Sequence, residues 1–307
     1  HYKIIPDQSD RNYLPSMKLT VLMSVFNADR YLRSAIDSIL NQSFSDFEFL
    51  IINDGSTDNT SHILAACNDP RIRIVNNAHN IGLTKSLNKG LEISRGEYIA
   101  RMDADDISLP DRFARQISFL GRTCHIHCVG CYNFIIDENG RKTGEMRWPH
   151  GRNANVSAIA SSTNPVGHPN VIYKKDVVMK IGKYNEFYHT CQDLELWFRF
   201  YKHGYLTDNV PQHLLMLRKH DQQISCNNNE RILIPRMFRD FVHDLLPDTK
   251  LRPSMLDRYM QYFLWRDNTA NVVSVVFCIL FHKYLKMKIL RRVNARNKQC
   301  SQPDDKG

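Results

Sequence analysis

Three carboxylates lie within four residues of this sequence, at Asp103, Asp105 and Asp106, directly after the mainly apolar run Tyr98–Met102. Clustered acids at the end of a buried strand are typical of ligand sites at the carboxyl edge of an open α/β sheet. Acids this close repel one another unless a cation lies among them, and Mg²⁺ and Mn²⁺ prefer oxygen ligands. The alternative is a solvated acidic turn before a helix that begins at Pro110. The cluster by itself leaves both interpretations open.

The segments around these acids alternate between strand and helix patterns. Strands are predicted over Leu19–Val25, Phe47–Ile52, Arg71–Val75 and Glu97–Met102, and helices over Asp29–Leu40, Leu83–Ile93 and Arg112–Leu120. Short links between them predict a mostly parallel α/β sheet with helices on its faces and right-handed crossovers. Further strands predicted over Val129–Ile136, Lys142–Trp148 and Val171–Lys174 indicate a mixed second part of the sheet. A helix over Asp193–Tyr201 follows, and the sequence is helical and basic from about Glu230.

The charge balance predicts an anionic partner. The 307 residues include 41 Lys and Arg against 32 Asp and Glu, a net charge of +9. Such an excess suits phosphate ligands, nucleic acid or a membrane surface. Much of it lies near the C-terminus, at Lys283, Lys286, Lys288, Arg291, Arg292, Arg296 and Lys298.

The cysteines and apolar runs predict a cytoplasmic protein that does not span a membrane. The eight cysteines show no framework spacing, and Cys128 and Cys131 lack a second Cys/His pair at zinc-finger distance, so we expect reduced thiols. The longest uncharged apolar run, Val272–Phe281, is too short to cross a bilayer. Residues 1–16 are polar and do not resemble a signal peptide.

Five separated motifs resemble those of the family 2 glycosyltransferases. They lie at Ser24–Leu32, Asn53–Asp58, Asn80–Gly90, Asp103–Asp106 and Gln192–Trp197, and the resemblance covers residue 19 to about residue 225. It implies an inverting enzyme of the Rossmann-like GT-A fold that uses a nucleotide sugar. The expected organisation is an N-terminal extension (1–17), a catalytic domain (18–226) and a helical basic region (227–307). The catalytic domain would divide into a nucleotide-binding half (18–110) and an acceptor-binding half (111–226).

The resemblance also implies a donor site. Ser24 and Phe26 would form part of a uracil pocket, and Asp54 would accept a hydrogen bond from the uracil ring N–H. A turn-forming role is the alternative for Asp54. Lys85 would reach the donor phosphates, or would only face water on its helix.

Within the acid cluster, the resemblance makes Asp105 the direct ligand of Mn²⁺ or Mg²⁺. Asp103 would face the ribose or the waters of the metal, and Asp106 would support the loop. His220 matches a histidine that GT-A enzymes place against metal or diphosphate; the alternative is a structural histidine.

The resemblance assigns the general base to Asp193, although Gln192 stands where a glutamate is commoner. A helix-terminal acid favoured by the macrodipole is the alternative for Asp193, and both descriptions can hold. His168 would lie in a loop on the acceptor side, and Trp197 would help to anchor the helix of Asp193. Both are acceptor-contact candidates.

The C-terminal region combines aromatic and basic residues, from Tyr259, Tyr262, Phe263 and Trp265 to Tyr284 and Ile289. Such helices suit a membrane interface, and the alternative is a helical pair packed on the catalytic domain. Nucleic-acid binding is not expected, because no recognition motif accompanies the charge.

These expectations combine into a metal-dependent inverting glycosyltransferase at the inner face of the cell membrane. It would move a sugar from a UDP-sugar to a saccharide or lipid-linked saccharide during surface-glycan synthesis. One rival is a nucleotide-sugar-binding protein without turnover. Another is a sugar-phosphate nucleotidyltransferase, which should carry a glycine-rich loop where Phe26–Asp29 has no glycine. A third is a membrane or nucleic-acid adaptor.

Overall fold

The computed structural model describes residues 18–221, 223, 233–247, 255, 256, 259 and 272–300. The predicted N-terminal extension 1–17 lies outside the described residues, as do Tyr262, Phe263 and Trp265 of the C-terminal aromatic run.

Strands and helices alternate along the described chain. The strands are β1 (Leu19–Val25), β2 (Phe47–Asn53), β3 (Ile72–Asn76), β4 (Tyr98–Met102), β5 (Ile107–Ser108), β6 (Cys128–Ile136), β7 (Lys142–Met146), β8 (Ile172–Lys174) and β9 (Thr207–Arg218). The helices are α1 (Asp29–Leu40), α2 (Thr60–Ala65), α3 (Leu83–Ile93), α4 (Arg112–Arg122), α5 (Arg152–Ala160), α6 (Lys175–Lys180), α7 (Gln192–Lys202), α8 (Leu233–Leu245) and α9 (Val272–Cys300).

One nine-stranded sheet runs through the described residues in the order β3-β2-β1-β4-β8-β6-β9-β5, with β7 paired to β6. The first four strands are parallel, as predicted, because each is followed by a helix that returns over the sheet. The order changes at β8, which pairs antiparallel with both β4 and β6. The mixed second part of the sheet is therefore confirmed.

The central strands form where the sequence can be buried on both faces. Nearly every residue of β1 and β2 is buried, which explains their continuous apolar runs. Helix α1 covers them with an apolar stripe that includes Leu32, Ile36 and Ile39. The predicted bounds of β1, α1 and α3 agree with the structure to the residue.

Strand β9, the longest of the described strands, was not predicted from the sequence. Its twelve residues pair in parallel with β6 along almost their whole length, with register shifts near Tyr132. The segment carries Pro211, Gln212 and His213 in its middle and so lacks an alternating or continuous apolar pattern. Strand β9 carries the chain from Thr207 to the loop of Asp103, Asp105 and Asp106, which we call the acid loop.

The C-terminal helices pack on the α/β part of the fold. Phe238 and Phe241 of α8 contact Phe198 of α7, and the Tyr259 hydroxyl donates to the carbonyl of Ala160 at 2.6 Å. In α9 the buried residues recur every four positions, at Phe281, Leu285, Ile289 and Val293. Of the aromatic residues that the sequence suggested for a membrane, Tyr259 and Phe281 therefore lie inside the protein.

Two loops at the carboxyl edge meet at Gly55. Its φ is +70°, and an added Cβ would lie 2.5 Å from the main-chain carbon of His79. Only glycine fits such a backbone angle and such a contact without strain.

We expect Gly55→Ala to lower the free energy of unfolding by about 3 kcal/mol, because the main chain itself must shift. The matched control is Gly151→Ala, where φ is +84° but no atom lies within 4 Å of the added Cβ. That variant should lose less, about 1 to 2 kcal/mol, from backbone strain alone, because φ +84° with ψ 148° is a conformation that few residues other than glycine adopt. Urea unfolding measures both, and equal losses would contradict the close contact.

Candidate active site

The acid loop leaves the carboxyl end of β4 and gathers three carboxylates. Asp103, Asp105 and Asp106 each offer an oxygen, and these atoms lie within 4.8 Å of one another. Asp105 Oδ2 also lies 3.0 Å from His220 Nε2 and accepts from Gln223 Nε2 at 3.2 Å. The structure thus brings Asp103, Asp105 and His220 together and places Gln223 beside them; their roles at a metal stay predictions.

Asp106 is the most buried of the three acids. Its Oδ1 accepts from the main-chain N–H of Arg218 at 2.9 Å, while Oδ2 is buried without a hydrogen-bond partner in the described structure. Burial, followed by the charges of Asp105 and Asp103, raises the pKa of Asp106 well above its usual range. An unpartnered buried oxygen beside two more carboxylates fits a hard divalent cation, which prefers an all-oxygen environment. The residues present therefore suit Mn²⁺ or Mg²⁺.

Two buried arginines lie against this loop, and sequence reasoning assigned them no role. Arg101 forms an ion pair with Asp103, and its side chain is about 2 % exposed. Arg112 is fully buried and donates to the carbonyl of Arg101 at 2.6 Å; burial lowers its pKa to about 10. An arginine inside the apolar run of β4 was the available signal, since arginine is rarely buried without a partner.

Asp193 lies in the first turn of α7. Asn164 Nδ2 donates to its Oδ2 at 2.8 Å, and Cys191, two residues earlier, has a φ of +55°. Burial raises the pKa of Asp193, while the hydrogen bond from Asn164 and the charge of Arg101 act in the opposite direction. The Arg101 guanidinium favours the ionised forms of both Asp103 and Asp193. Asp193 is thus held directly by Asn164, and its ionisation also depends on the charge of Arg101, the partner of Asp103.

Asp54 lies at the end of β2 and is about 2 % exposed. Its carboxylate accepts from Asn77 Nδ2 at 2.7 Å and from the main-chain N–H groups of Ile81 at 3.0 Å and Gly82 at 2.9 Å. These contacts fix the loop over residues 77–82, so the loop-forming alternative describes what the carboxylate does in this structure. Its contact with uracil stays a prediction.

The other donor-site candidates differ in exposure. Phe26 follows β1 and is 45 % exposed, so its ring is open to a stacking partner. Ser24 lies within β1 opposite Ile52 and is half-buried. Lys85 lies on the exposed face of α3. Their roles in donor binding stay predictions.

The two acceptor candidates lie in the core. His168 is buried, its Nε2 is 2.9 Å from the Tyr184 hydroxyl, and burial lowers its pKa well below the usual value. Trp197 is fully buried and contacts Phe200 edge-on at 5.2 Å. Packing explains both side chains, and contact with an acceptor would require the core to open.

Comparisons with known proteins agree with this geometry. The profile of Glycosyl transferase family 2 matches residues 20–182. The O-antigen biosynthesis glycosyltransferase WbnJ of Escherichia coli is 33 % identical over 212 residues, which cover 66 % of this chain and 80 % of that protein.

Two solved structures share the fold. Staphylococcus aureus TarS 1–349 with UDP-GlcNAc superposes with a TM-score of 0.64 at 16 % identity, covering 90 % of this chain and 89 % of that one. The mannosyltransferase PcManGT of Pyrobaculum calidifontis, with GDP-Man and Mn²⁺, gives 0.58 at 16 % identity, covering 95 % and 89 %. The predicted GT-A fold is confirmed. The chain is a glycosyltransferase and belongs to glycosyl transferase family 2.

Proposed function

We propose that this enzyme transfers a sugar, with inversion, from a nucleotide sugar to a hydroxyl of a saccharide acceptor during surface-polysaccharide synthesis. The observation that carries the proposal is the acid loop, whose three carboxylates offer oxygens within 4.8 Å of one another, in a chain that also presents Asp193 in the first turn of α7. The acid loop suits a donor with a diphosphate and a metal, and Asp193 suits proton removal from an acceptor. The O-antigen role in the name of WbnJ supports the class of product.

Asp193 acts as the general base. Its carboxylate takes the proton of the acceptor hydroxyl while that oxygen forms a bond to the anomeric carbon. The bond from that carbon to the donor phosphate breaks on the opposite face, and the nucleoside diphosphate leaves with the bonding electrons. A carboxylate whose pKa is raised by burial accepts a proton more readily than a solvated one.

Asp105, Asp106 and Asp103 would hold a divalent cation, with His220 beside Asp105. When bound, such a cation neutralises the charge that builds on the leaving diphosphate. The Mn²⁺ named in the PcManGT structure supports this choice, and Mg²⁺ has the same ligand preference.

The donor is a UDP-sugar. The exposed ring of Phe26, after β1, offers a stacking surface for a nucleobase. Asp54 follows the neighbouring strand β2. TarS was solved with UDP-GlcNAc and PcManGT with GDP-Man, so the fold accepts both kinds of base. Thermal-shift screening against UDP- and GDP-sugars with Mn²⁺ tests the assignment, and a shift with GDP-sugars alone would refute it.

Asp193→Asn is the central test. We expect transfer to fall by about 10²- to 10⁴-fold, because the amide cannot take the proton, while donor affinity stays unchanged. Transfer is followed by product chromatography and donor affinity by calorimetry. The matched control is Asp176→Asn, which removes an exposed acid on α6 that pairs with Lys180.

Two outcomes separate the rival functions. A protein that binds nucleotide sugars but shows no turnover in either the wild type or Asp176→Asn is a binding protein. Formation of a nucleotide sugar from a sugar phosphate and a nucleoside triphosphate, unaffected by Asp193→Asn, would identify a nucleotidyltransferase.

Metal removal should lower the melting temperature. Mn²⁺ at 100 times its dissociation constant should stabilise the wild type by about 2.7 kcal/mol, because it binds the folded chain and not the unfolded one. Asp105→Asn should abolish the Mn²⁺-dependent shift, whereas Asp69→Asn, which removes an acid paired with Arg71, should keep it. Differential scanning fluorimetry with EDTA or Mn²⁺ measures the shifts, and a full shift in Asp105→Asn would contradict the site.

We further propose that the protein works at the cytoplasmic surface of the membrane, where its acceptor can be carried on a lipid. No helix among the described residues is long and apolar enough to span a bilayer. Helix α9, however, contains seven Lys and Arg and no Asp or Glu. Four of its exposed residues follow one helical stripe, namely Leu280, Lys283, Met287 and Arg291, and we call them the outer stripe.

The outer stripe suits anionic lipid better than nucleic acid. Leu280 is 60 % exposed and Met287 39 % exposed, and they alternate with the cations of Lys283 and Arg291. Apolar side chains between cations can enter the headgroup region. Other cations of α9 are used internally, since Arg292 donates to the carbonyl of Lys202 and Arg296 to that of His203.

Vesicle cosedimentation tests the stripe. Lys283→Gln combined with Arg291→Gln should weaken binding to phosphatidylglycerol vesicles about 30-fold, since each cation near the surface contributes about 1 kcal/mol. The control, Lys142→Gln with Lys180→Gln, removes the same charge elsewhere. Equal losses of vesicle binding in the two double variants would contradict the stripe. Equal binding of the wild type to neutral phosphatidylcholine vesicles would also contradict it. So would a Lys283→Gln, Arg291→Gln variant that loses oligonucleotide binding but keeps vesicle binding.

A further inference from the structure

Arg218, the last residue of β9, ties the acid loop to a neighbouring hairpin. Its side chain is buried, about 4 % exposed as a residue. Nε donates to the carbonyl of Asp105 at 2.8 Å, and Nη1 donates to the carbonyls of Asp137 at 3.0 Å and Glu138 at 3.1 Å. Its own N–H donates to Asp106 Oδ1 at 2.9 Å. Arg218 therefore contacts the Asp105 carbonyl, the Asp106 carboxylate and the chain that follows β6.

An aromatic ring completes this arrangement. The Arg218 guanidinium lies over the Tyr31 ring, 4.3 Å from its centroid. The same ring contacts the imidazole of His220 at 5.3 Å, and His220 in turn lies against Asp105. A cation over a partly buried ring is attracted to its face. Tyr31 belongs to α1, so the contact joins the helix after β1 to the acid loop.

We infer that Arg218 is a positioning residue that sets the geometry of the acid loop for the divalent cation. This inference deepens the proposed function and rests on it. The three carboxylates repel one another, which opposes the close arrangement that a cation site needs. The Arg218 side chain holds the main chain of that loop, while its donors avoid the carboxylate oxygens. The Arg218 side chain therefore occupies neither carboxylate oxygen of Asp105.

The contact requires the planar fork of arginine. Nε and Nη1 reach three carbonyl oxygens on two separate segments, and the flat face lies on Tyr31. A lysine would place its donors at one point and could not span both segments. Lys219 follows directly in the sequence, so a positive charge stays near the loop in every Arg218 variant. A loss in these variants would therefore reflect the missing contacts of the guanidinium.

The alternative is that Arg218 only stabilises the fold, and Arg73 provides a matched control. Arg73 lies in β3 at the far edge of the sheet, where it donates to the carbonyl of Ile93 at 2.6 Å and pairs with Glu48 at 3.0 Å. Its replacement removes comparable stabilising contacts far from the acid loop.

The experiment compares Arg218→Met, Arg218→Lys and Arg73→Met with the wild-type chain. Mn²⁺ affinity is measured by titration with electron paramagnetic resonance, which detects free Mn²⁺ and needs no turnover. We expect Arg218→Met to weaken Mn²⁺ binding at least tenfold and Arg218→Lys to recover little of it. Arg73→Met should keep wild-type affinity although its melting temperature falls.

Kinetics give a second readout. The concentration of Mn²⁺ for half-maximal transfer should rise in Arg218→Lys, while kcat at saturating Mn²⁺ should stay within about twofold of wild type, because saturation with the cation compensates for its weaker binding. Wild-type Mn²⁺ affinity in Arg218→Met, or in Arg218→Lys if the methionine variant fails to fold, overturns the inference. Equal weakening in Arg73→Met also overturns it. A wild-type chain that binds no Mn²⁺ overturns the metal proposal as well.

Discussion

Mutual repulsion among Asp103, Asp105 and Asp106 is the constraint around which the site is built. Two unit charges 4 Å apart interact by about 4 kcal/mol at the effective dielectric constant of a protein surface. The structure opposes this with two buried guanidinium groups, Arg101 and Arg112. The remaining imbalance, visible in the raised pKa of buried Asp106, is what a divalent cation would remove.

The topology brings the charge of Arg101 to bear on the proposed base as well. Strand β4 has parallel β1 on one side and antiparallel β8 on the other, so the acid loop leaves the sheet where its direction changes. Ligands of α/β sheets bind at such points because the flanking loops separate. The chain after β8 reaches α7 and places Asp193 within the field of Arg101. Strand β4 therefore ends in the proposed metal-binding loop and supplies the guanidinium whose charge acts on Asp193, the proposed base some ninety residues later.

Local patterns were enough for much of the first half of the fold. Strand β1 and helices α1 and α3 were predicted to the residue because burial on two faces, or one apolar stripe, marks each in its own sequence. The roles of Asp54 and Arg218 could not be predicted in this way. The partners of Asp54 lie 23 to 28 residues away, and Arg218 reaches carbonyls 80 to 113 residues away. Carbonyl acceptors carry no sequence signature, so only the structure reveals them.

Helix α9 shows how one apolar, basic sequence serves two surfaces. Its inner residues pack on the domain, and Arg292 donates to the carbonyl of Lys202 at the C-terminus of α7, where a cation stabilises the helix dipole. The N-terminus of the same α7 holds Asp193. The helix that would meet anionic lipid through its outer stripe thus also braces the helix of the base. An acceptor delivered at a membrane surface would therefore approach a protein in which the proposed docking helix α9 contacts α7, the helix of the proposed base.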